Sequence, residues 1–365
     1  MNYMKITEAL TRQISEIAGV NDPQTKIDPP GFLEFLIDNS PNIRPEAIVM
    51  NGKCQEMRIQ YMPRGCEESR ECHSCDGDIP EWKDSGLEPM KCREIAIKLN
   101  DDLMCQLETA ANRPVSMGTP PTSAPSLIWE MVRNKLNGLL RDIDNDLLEM
   151  QAAKWGKNVV AGTVGPQTVT FGNTMSLNNG ITQLKREARL NVFDGRIGVV
   201  GNGYALDFFE MNRARTGQDM YGYNGAAFNT GFNPYYDLYS ANSWGENHFG
   251  VFAEGTIGFL EWFHNGGYNG KLMGDTYRFI LPIPIGNGYT VNFDAYLRTI
   301  GCPDYATILV LGKTYGLWNM PDDVFDECDR LHGVNGSLHY VAEYSDCFNV
   351  CTSSPAPAPT PEPEP

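Results

Sequence analysis

The stretch that most constrains this chain runs from Ser126 to Gly156 and reads SLIWEMVRNKLNGLLRDIDNDLLEMQAAKWG. Apolar residues fall at Ile128, Val132, Leu136, Leu139, Leu140, Ile143, Leu147 and Met150. Steps of three and four are the helical period. Arg133, Asn134, Lys135, Arg141, Asp142, Asn145, Asp146 and Glu149 occupy the other side, so one face is expected to be wet and one must be covered. Ser126 stands where a side-chain cap is expected, and Gly156 where a left-handed residue would end the helix. Such a helix is roughly 45 Å long. A stripe of that length needs an equally long apolar surface to lie on, and the rest of the chain must supply it.

The segments that follow are mostly strand-like. Tyr277–Ile285 and Tyr289–Leu297 flank Gly286-Asn287-Gly288, the best hairpin signal in the chain. Arg196–Val200, Phe249–Phe263 broken at Glu254-Gly255, Thr307–Leu311 and Ser337–Tyr344 read as further strands. Ser176–Leu190 keeps Leu177, Ile181, Leu184 and Ala188 in helical register, and short helices are expected over 101–109, 205–211 and 321–331. Residues 217–247, rich in Gly, Asn and Tyr, read as irregular. The pattern predicts an α+β fold with one spine helix.

Upstream of the spine the chain has little core. Residues 1–20 form an amphipathic helix, and 31–40 a short one between prolines. Cys54–Met62 and Met90–Leu99 alternate as strands and are expected to pair as a hairpin. Pro63–Pro89 between them reads as a polar, Cys-bearing tip, and a two-stranded arm of this kind is unstable in water unless it lies on something. Residues 113–125 are a Pro/Ser/Thr linker, and 353–365 a Pro/Glu tail of polyproline type.

Composition removes several classes. The net charge is −17, with no Lys/Arg cluster of the kind that grips nucleic acid. No apolar run is long enough to span a membrane. The N-terminus lacks the apolar core of a signal peptide, so a cytoplasmic chain without structural disulfides is expected. Gly201-Asn202-Gly203 lacks the third glycine of a dinucleotide site, because Leu206 stands there. Glu246, His248, Glu254, Glu261 and His264, among Trp244 and Trp262, are the one set that an enzyme acting on sugars would use. Their irregular spacing favours ordinary sheet residues, and no catalytic residue or cofactor is assigned.

Cys72-x-x-Cys75 has the bite of a tetrahedral zinc site. Cys66 and Cys92 complete a four-cysteine set at the hairpin tip, with His73 as a substitute. A structural zinc would stiffen a loop that has no core; four free thiols are the other reading.

The order of parts resembles the major capsid proteins of tailed bacteriophages, the family with the fold first described for phage HK97. IQYMPRGCEE at 59–68, KWGKNV at 154–159, DGRIGVVGNG at 194–203, and SWGENHFG followed by FAEGTIGFLEW within 243–262 look like phrases of large phage capsid proteins. The resemblance implies an N-terminal arm over 1–50, an extended β-hairpin excursion (the E-loop of the family) over 51–105, and a peripheral-type spine-helix domain over 106–185. That domain would be rejoined by strands within 249–300. An axial-type α/β domain over 186–350 and a disordered tail over 351–365 would follow. It implies a virion protein, assembled in the host cytoplasm. Hexamers and pentamers of it would close an icosahedral shell around DNA that is not read by sequence, with portal and other virion proteins as neighbours and no membrane. The excursion would then make inter-subunit contacts through Arg58, Tyr61, Arg64, Glu67 and Glu68. The Cys-rich tip and the Pro/Glu tail depart from the family pattern. The alternatives are another virion component (head decoration, tail, or a β protein binding the host surface through 221–263) and a glycoside-active enzyme.

Metal analysis of the purified chain tests the four-cysteine reading. Roughly one equivalent of zinc per chain is expected, lost on Cys72→Ser with Cys75→Ser; metal-free protein with its fold intact would contradict it.

Overall fold

The computed structural model describes residues 27–39, 43–51, 54–61, 82–99, 124–172, 174–191, 193, 196–209, 231–267, 269–285, 290–300, 306–321 and 336–344, together with Thr7 and Cys105. The helix expected over 1–20, those over 101–109 and 321–331, and the tail therefore fall almost wholly outside the described residues. The fold is α+β: two large sheets, each with a helix laid on it, and one two-stranded ribbon among the described residues.

Helix α1 is Gly31–Asp38 and α2, the spine, Ala124–Ala152. Strands β1 (Ile43–Asn51), β2 (Cys54–Tyr61) and β3 (Lys83–Leu99) precede the spine. After it come β4 (Lys157–Asn158), β5 (Thr163–Val164), β6 (Gln167–Phe171), helix α3 (Thr174–Leu190), β7 (Ile197–Gly201), β8 (Phe232–Tyr236) and the short α4 (Ser240–Ser243). The chain continues through β9 (His248–Ala253), β10 (Ile257–Trp262), β11 (Lys271–Met273), β12 (Thr276–Pro284), β13 (Thr290–Ile300), β14 (Ala306–Asn319) and β15 (Ser337–Tyr344).

The spine is continuous, as its periodicity predicts, but its ends differ. Ser126 lies inside the first turn beside Pro125, a place where the missing proline N–H costs nothing. The helix stops at Ala152, and Gly156 is not left-handed. Its N–H bonds the Ser337 carbonyl instead (2.9 Å), tying the helix exit to β15. Val132, Leu136, Leu139, Leu140, Ile143 and Leu147 are all buried, each contributing about 1.5–3 kcal/mol by leaving water.

The surface they cover is the main sheet, ordered β1-β2-β3-β14-β13-β12-β11, with β10 also paired to β14. Ile97, Leu99, Phe279, Leu281, Phe293, Leu297, Leu309 and Leu311 meet the spine in one core. Along β12 burial alternates residue by residue, the mark of a sheet covered on one face. One expectation fails. Cys54–Tyr61 does not pair with 90–99: it pairs with 83–90, while 90–99 pairs with β14. Strand β3 is one long element that begins inside the segment read as a polar tip. The alternation of 95–99 is real, but it belongs to the main sheet, whose greater apolar area wins the strand.

A carboxylate fixes the spine to this sheet. Asp146, buried on α2, receives Lys91 Nζ (2.8 Å), Arg93 Nε (2.7 Å) and Tyr315 OH (2.5 Å). Burial alone would push this carboxyl up; the bonds from Arg93, Lys91 and Tyr315 outweigh it and bring it down to about 2.

The second sheet is ordered β6-β15-β9-β7-β8, parallel at β6–β15 and β7–β8. Strand β8 lies within the stretch that read as irregular. One face carries Val169, Phe171, Val199, Phe249, Val251, Leu338 and Tyr340 against Ile181, Leu184 and Ala188 of α3. The other face meets α1. There Gly198 has no alternative, since a Cβ would stand 2.4 Å from the Phe35 ring. Phe32 and Phe35 of α1 pack on Phe252, while Trp244 and Trp155 (5.0 Å between rings) close the seam. Trp155 also stacks on His339 at 4.4 Å, and His339 shares a 2.9 Å hydrogen bond with His248. Burial, and then the neighbouring His248, hold His339 down at about 4. The short helix over 31–38 is thus a wedge buried in its own chain.

Asp146→Ala should lower unfolding stability by about 2 kcal/mol, short of a fully buried pair because Lys91 and Arg93 are partly solvated. A carboxyl held below its unfolded value of 3.8 stabilises fully above that value and loses the contribution as pH falls through about 2. The gap between the native chain and Asp146→Asn, read by denaturant titration, should therefore stay level at neutral pH and close below about pH 4.

Candidate assembly surface

Beyond the spine the main sheet continues into β1, β2 and the first half of β3. Strands β1 and β2 pair from Ile43↔Tyr61 to Asn51↔Cys54, a two-residue connection. The sequence carries its signal, Asn51-Gly52 between two β-type runs; Pro45 and the polar residues beside it hide β1 from a search for alternation. Between β2 and β3 the register slips at Ile59/Gln60. Gly86 takes φ 89° there, its N–H held by Asp84 Oδ1 at 2.8 Å. Ser85 Oγ closes the bulge on the Ile59 carbonyl at 3.1 Å. A bulge bends the strand and sharpens its twist.

The two faces of this extension differ. Met57, Ile59 and Tyr61 are buried against Met90, Leu260, Trp318 and Met320 in a small separate core. Trp318 alternates with Leu317, which is in the spine's core, so this second core lies on the sheet face turned away from α2. Tyr61 and Trp318 are 5.7 Å apart, ring to ring. Lys154, just past the spine, donates to Glu88 at 2.6 Å and to the Leu317 carbonyl at 2.9 Å, pinning β3 to β14. The described part of the excursion thus has a small core, completed by Leu260, Trp318 and Met320, a contribution that the excursion's own sequence cannot show.

The outer face carries Arg58, half-exposed between Asp84 (2.9 Å) and Glu46 (3.5 Å). Leu87 stands opposite Arg58 in the register and is 50% exposed, and Trp82 just before β3 is 41% exposed. Large apolar groups beside charged ones on an outer sheet face suit contact with another surface.

Among the residues singled out from sequence, Arg58 and Tyr61 lie on opposite faces of β2: Arg58 faces out, and Tyr61 is held by its own chain. Arg64, Glu67, Glu68, Cys66, Cys72 and Cys75 lie outside the described residues. Cys92 is exposed on β3, opposite Thr314 of β14 in the register. Partial burial pushes its thiol up, against a lowering hydrogen bond with Thr314. Among the described residues no group of three or more His, Cys, Asp or Glu is placed to hold a metal ion.

Two of the acids considered for sugar chemistry, Glu254 and Glu261, are engaged locally. Glu254 accepts the Arg196 N–H at 3.1 Å. Glu261 is paired with Lys313, a buried lysine ringed by Phe259, Phe263 and Phe293, whose ammonium is pushed down by burial. His264 Nε2 meets Thr314 Oγ1 at 3.0 Å. No described helix is long and apolar enough to cross a membrane.

No family model and no curated protein matches the chain. Solved structures similar to it include phage and phage-related proteins. One, described as Mycobacterium phage Adephagia, is 12% identical over 81% of this chain and 86% of its own, with a TM-score of 0.36. The capsid of Myoviridae phage XM1 is 11% identical over 84% and 87%, at 0.33. A phage-related protein of Bordetella bronchiseptica RB50 is 10% identical over 90% and 95%, at 0.39. At this level of similarity the functional reading has to come from the chain's own geometry.

Tyr61→Ala should cost about 3 kcal/mol in denaturant unfolding, as for other large buried side chains. Arg58→Ala should stay within about 1 kcal/mol of the native chain in the same titration. Equal losses of stability in the two variants would contradict the division into an inner and an outer face.

Proposed function

We propose that this chain is a structural virion protein, a major capsid protein whose copies form hexamers and pentamers and close into the icosahedral head of a tailed phage. One observation carries the reading. A continuous spine helix lies on an antiparallel sheet, and that sheet runs on into an extension whose outer face holds Arg58, Leu87 and Trp82. Among the described residues, no core cluster includes Arg58, Leu87 or Trp82. Large subunit interfaces built from many modest contacts give a closed shell its stability, and head-to-tail contacts generate rings.

Under this proposal 1–50 acts as the arm, 51–105 as the excursion, 106–185 with strands of 249–300 as the peripheral part, and 186–350 as the axial part. Arg58, Arg64, Glu67 and Glu68 are the contacts, and a zinc held by Cys66, Cys72, Cys75 and Cys92 would brace the tip. The strong negative charge suits a wall that lines packaged DNA without clamping it. The protein's work is association with its own copies and with virion proteins such as a portal, and it performs no chemical step.

Size-exclusion chromatography with negative-stain microscopy of the full chain tests the proposal. Rings, tubes or shells are expected as concentration rises. A folded chain that remains monomeric at high concentration would contradict it.

A further inference from the structure

The first turn of α1 has no side-chain cap from its own sequence; Pro30 stands at the cap position. Two carboxylates from distant elements take its place. Asp237, in the turn after β8, accepts the Phe32 N–H through Oδ2 at 2.7 Å. Asp144, in the middle of the spine, accepts the Leu33 N–H through Oδ1 at 2.9 Å. These are adjacent amides, so the two carboxyl groups converge on one helix turn. Both residues are buried, Asp144 at 0% and Asp237 at 1% exposure. Asp237 has further donors, the Tyr239 and Ser240 amides at 2.7 and 3.1 Å. Asp144 Oδ2 is buried with no donor at all. A carboxylate oxygen in that position is costly; a carboxyl O–H turned to Asp237 is not.

The positive end of one short helix offsets roughly half a charge, far short of two ionised carboxylates. Other charged groups nearby have partners elsewhere. Arg141 and Asp142, half-exposed on α2, face each other. Asp146 is taken by Lys91, Arg93 and Tyr315. Asp38, at the other end of α1, accepts Tyr235 OH. Glu34 stands in the first turn of α1 and Asp28 just before the helix, and each adds negative charge to this end.

We propose that Asp144 and Asp237 form a proton-sharing lock on α1: one proton between them holds the wedge in the seam between spine and second sheet, and its loss loosens the wedge. The lock is a property of the single chain and does not rest on the shell reading. What moves is residues 27–39, because Phe32, Phe35 and Leu36 leave the seam together, and Asn39, which accepts the Gly255 N–H and donates to the Ile257 carbonyl, goes with them.

Burial, then the charge and hydrogen bond of Asp237, hold the Asp144 carboxyl well above its ordinary 3.8, against a lowering bond from Leu33. The native state therefore keeps a proton that the unfolded chain releases, and stability falls as pH rises from about 4 toward the native value.

Hydrogen exchange on the full chain between pH 5 and 9 tests this, compared with Asp144→Asn, which is neutral at every pH. After correction for intrinsic rates, protection of the Phe35 and Leu36 amides should fall in the native chain by up to about tenfold per pH unit within the window. It should stay level in Asp144→Asn. Identical profiles would overturn the proposal. Infrared spectroscopy of the native chain gives a second reading that needs no variant: a protonated carboxyl band is expected at neutral pH, and its absence would equally overturn it.

Discussion

The structure depends on one seam, where α1 is wedged between the spine and the second sheet. Phe32, Phe35, Trp155, Trp244 and Phe252 fill it, and the same apolar core runs on through α2 to the main sheet. The two sheets share no strand pairing; what joins them is this packing and the short links beside it. Trp244 donates to the Leu148 carbonyl, and Gly156 to Ser337. Without α1 the Phe252 and Gly198 face of the second sheet would stand open to water, and the spine would lose part of its cover.

Each sheet is then tied to its helix by a buried polar group. Asp146 anchors the spine to β3 and β14. In the second unit Glu187 of α3 accepts from Tyr340 OH at 2.8 Å and from Asn158 at 2.9 Å, and Asn191 completes the network. Apolar burial supplies most of the stability, but it leaves a helix free to slide along a sheet. Satisfied polar networks fix the register, since any shift would strand buried donors and acceptors.

Much of this was legible from sequence because it rests on local periodicity. The spine, α3, the β12–β13 hairpin, the break at Glu254-Gly255 and strand β15 all follow from spacing and turn residues. What was not legible depends on distant partners. Residues 90–99 alternate like a hairpin strand, yet Leu309 and Leu311 claim them. The segment 31–38 reads as a free arm because the rings that bury it come from 155 and 244–252. Strand β8, with Pro234 in it, hides in a Gly/Asn/Tyr stretch and exists because β7 accepts it in parallel. The candidate surface was half visible: the Arg58 face of β2 is an alternation, whereas the Trp318 core that turns Tyr61 inward is not. The cysteine tip, apart from Cys92, lies outside the described residues.

Under the proposed function the extension links fold to assembly: it is braced from within by Tyr61, Trp318 and Lys154, and its outer face would meet another copy. Hydrogen exchange compared between dispersed chain and assembled particles tests that link most directly. Protection should rise in 43–61 and 82–90 and stay level in β9 and β15, which are already buried within the chain. An unchanged extension, with new protection confined to the second sheet, would contradict it.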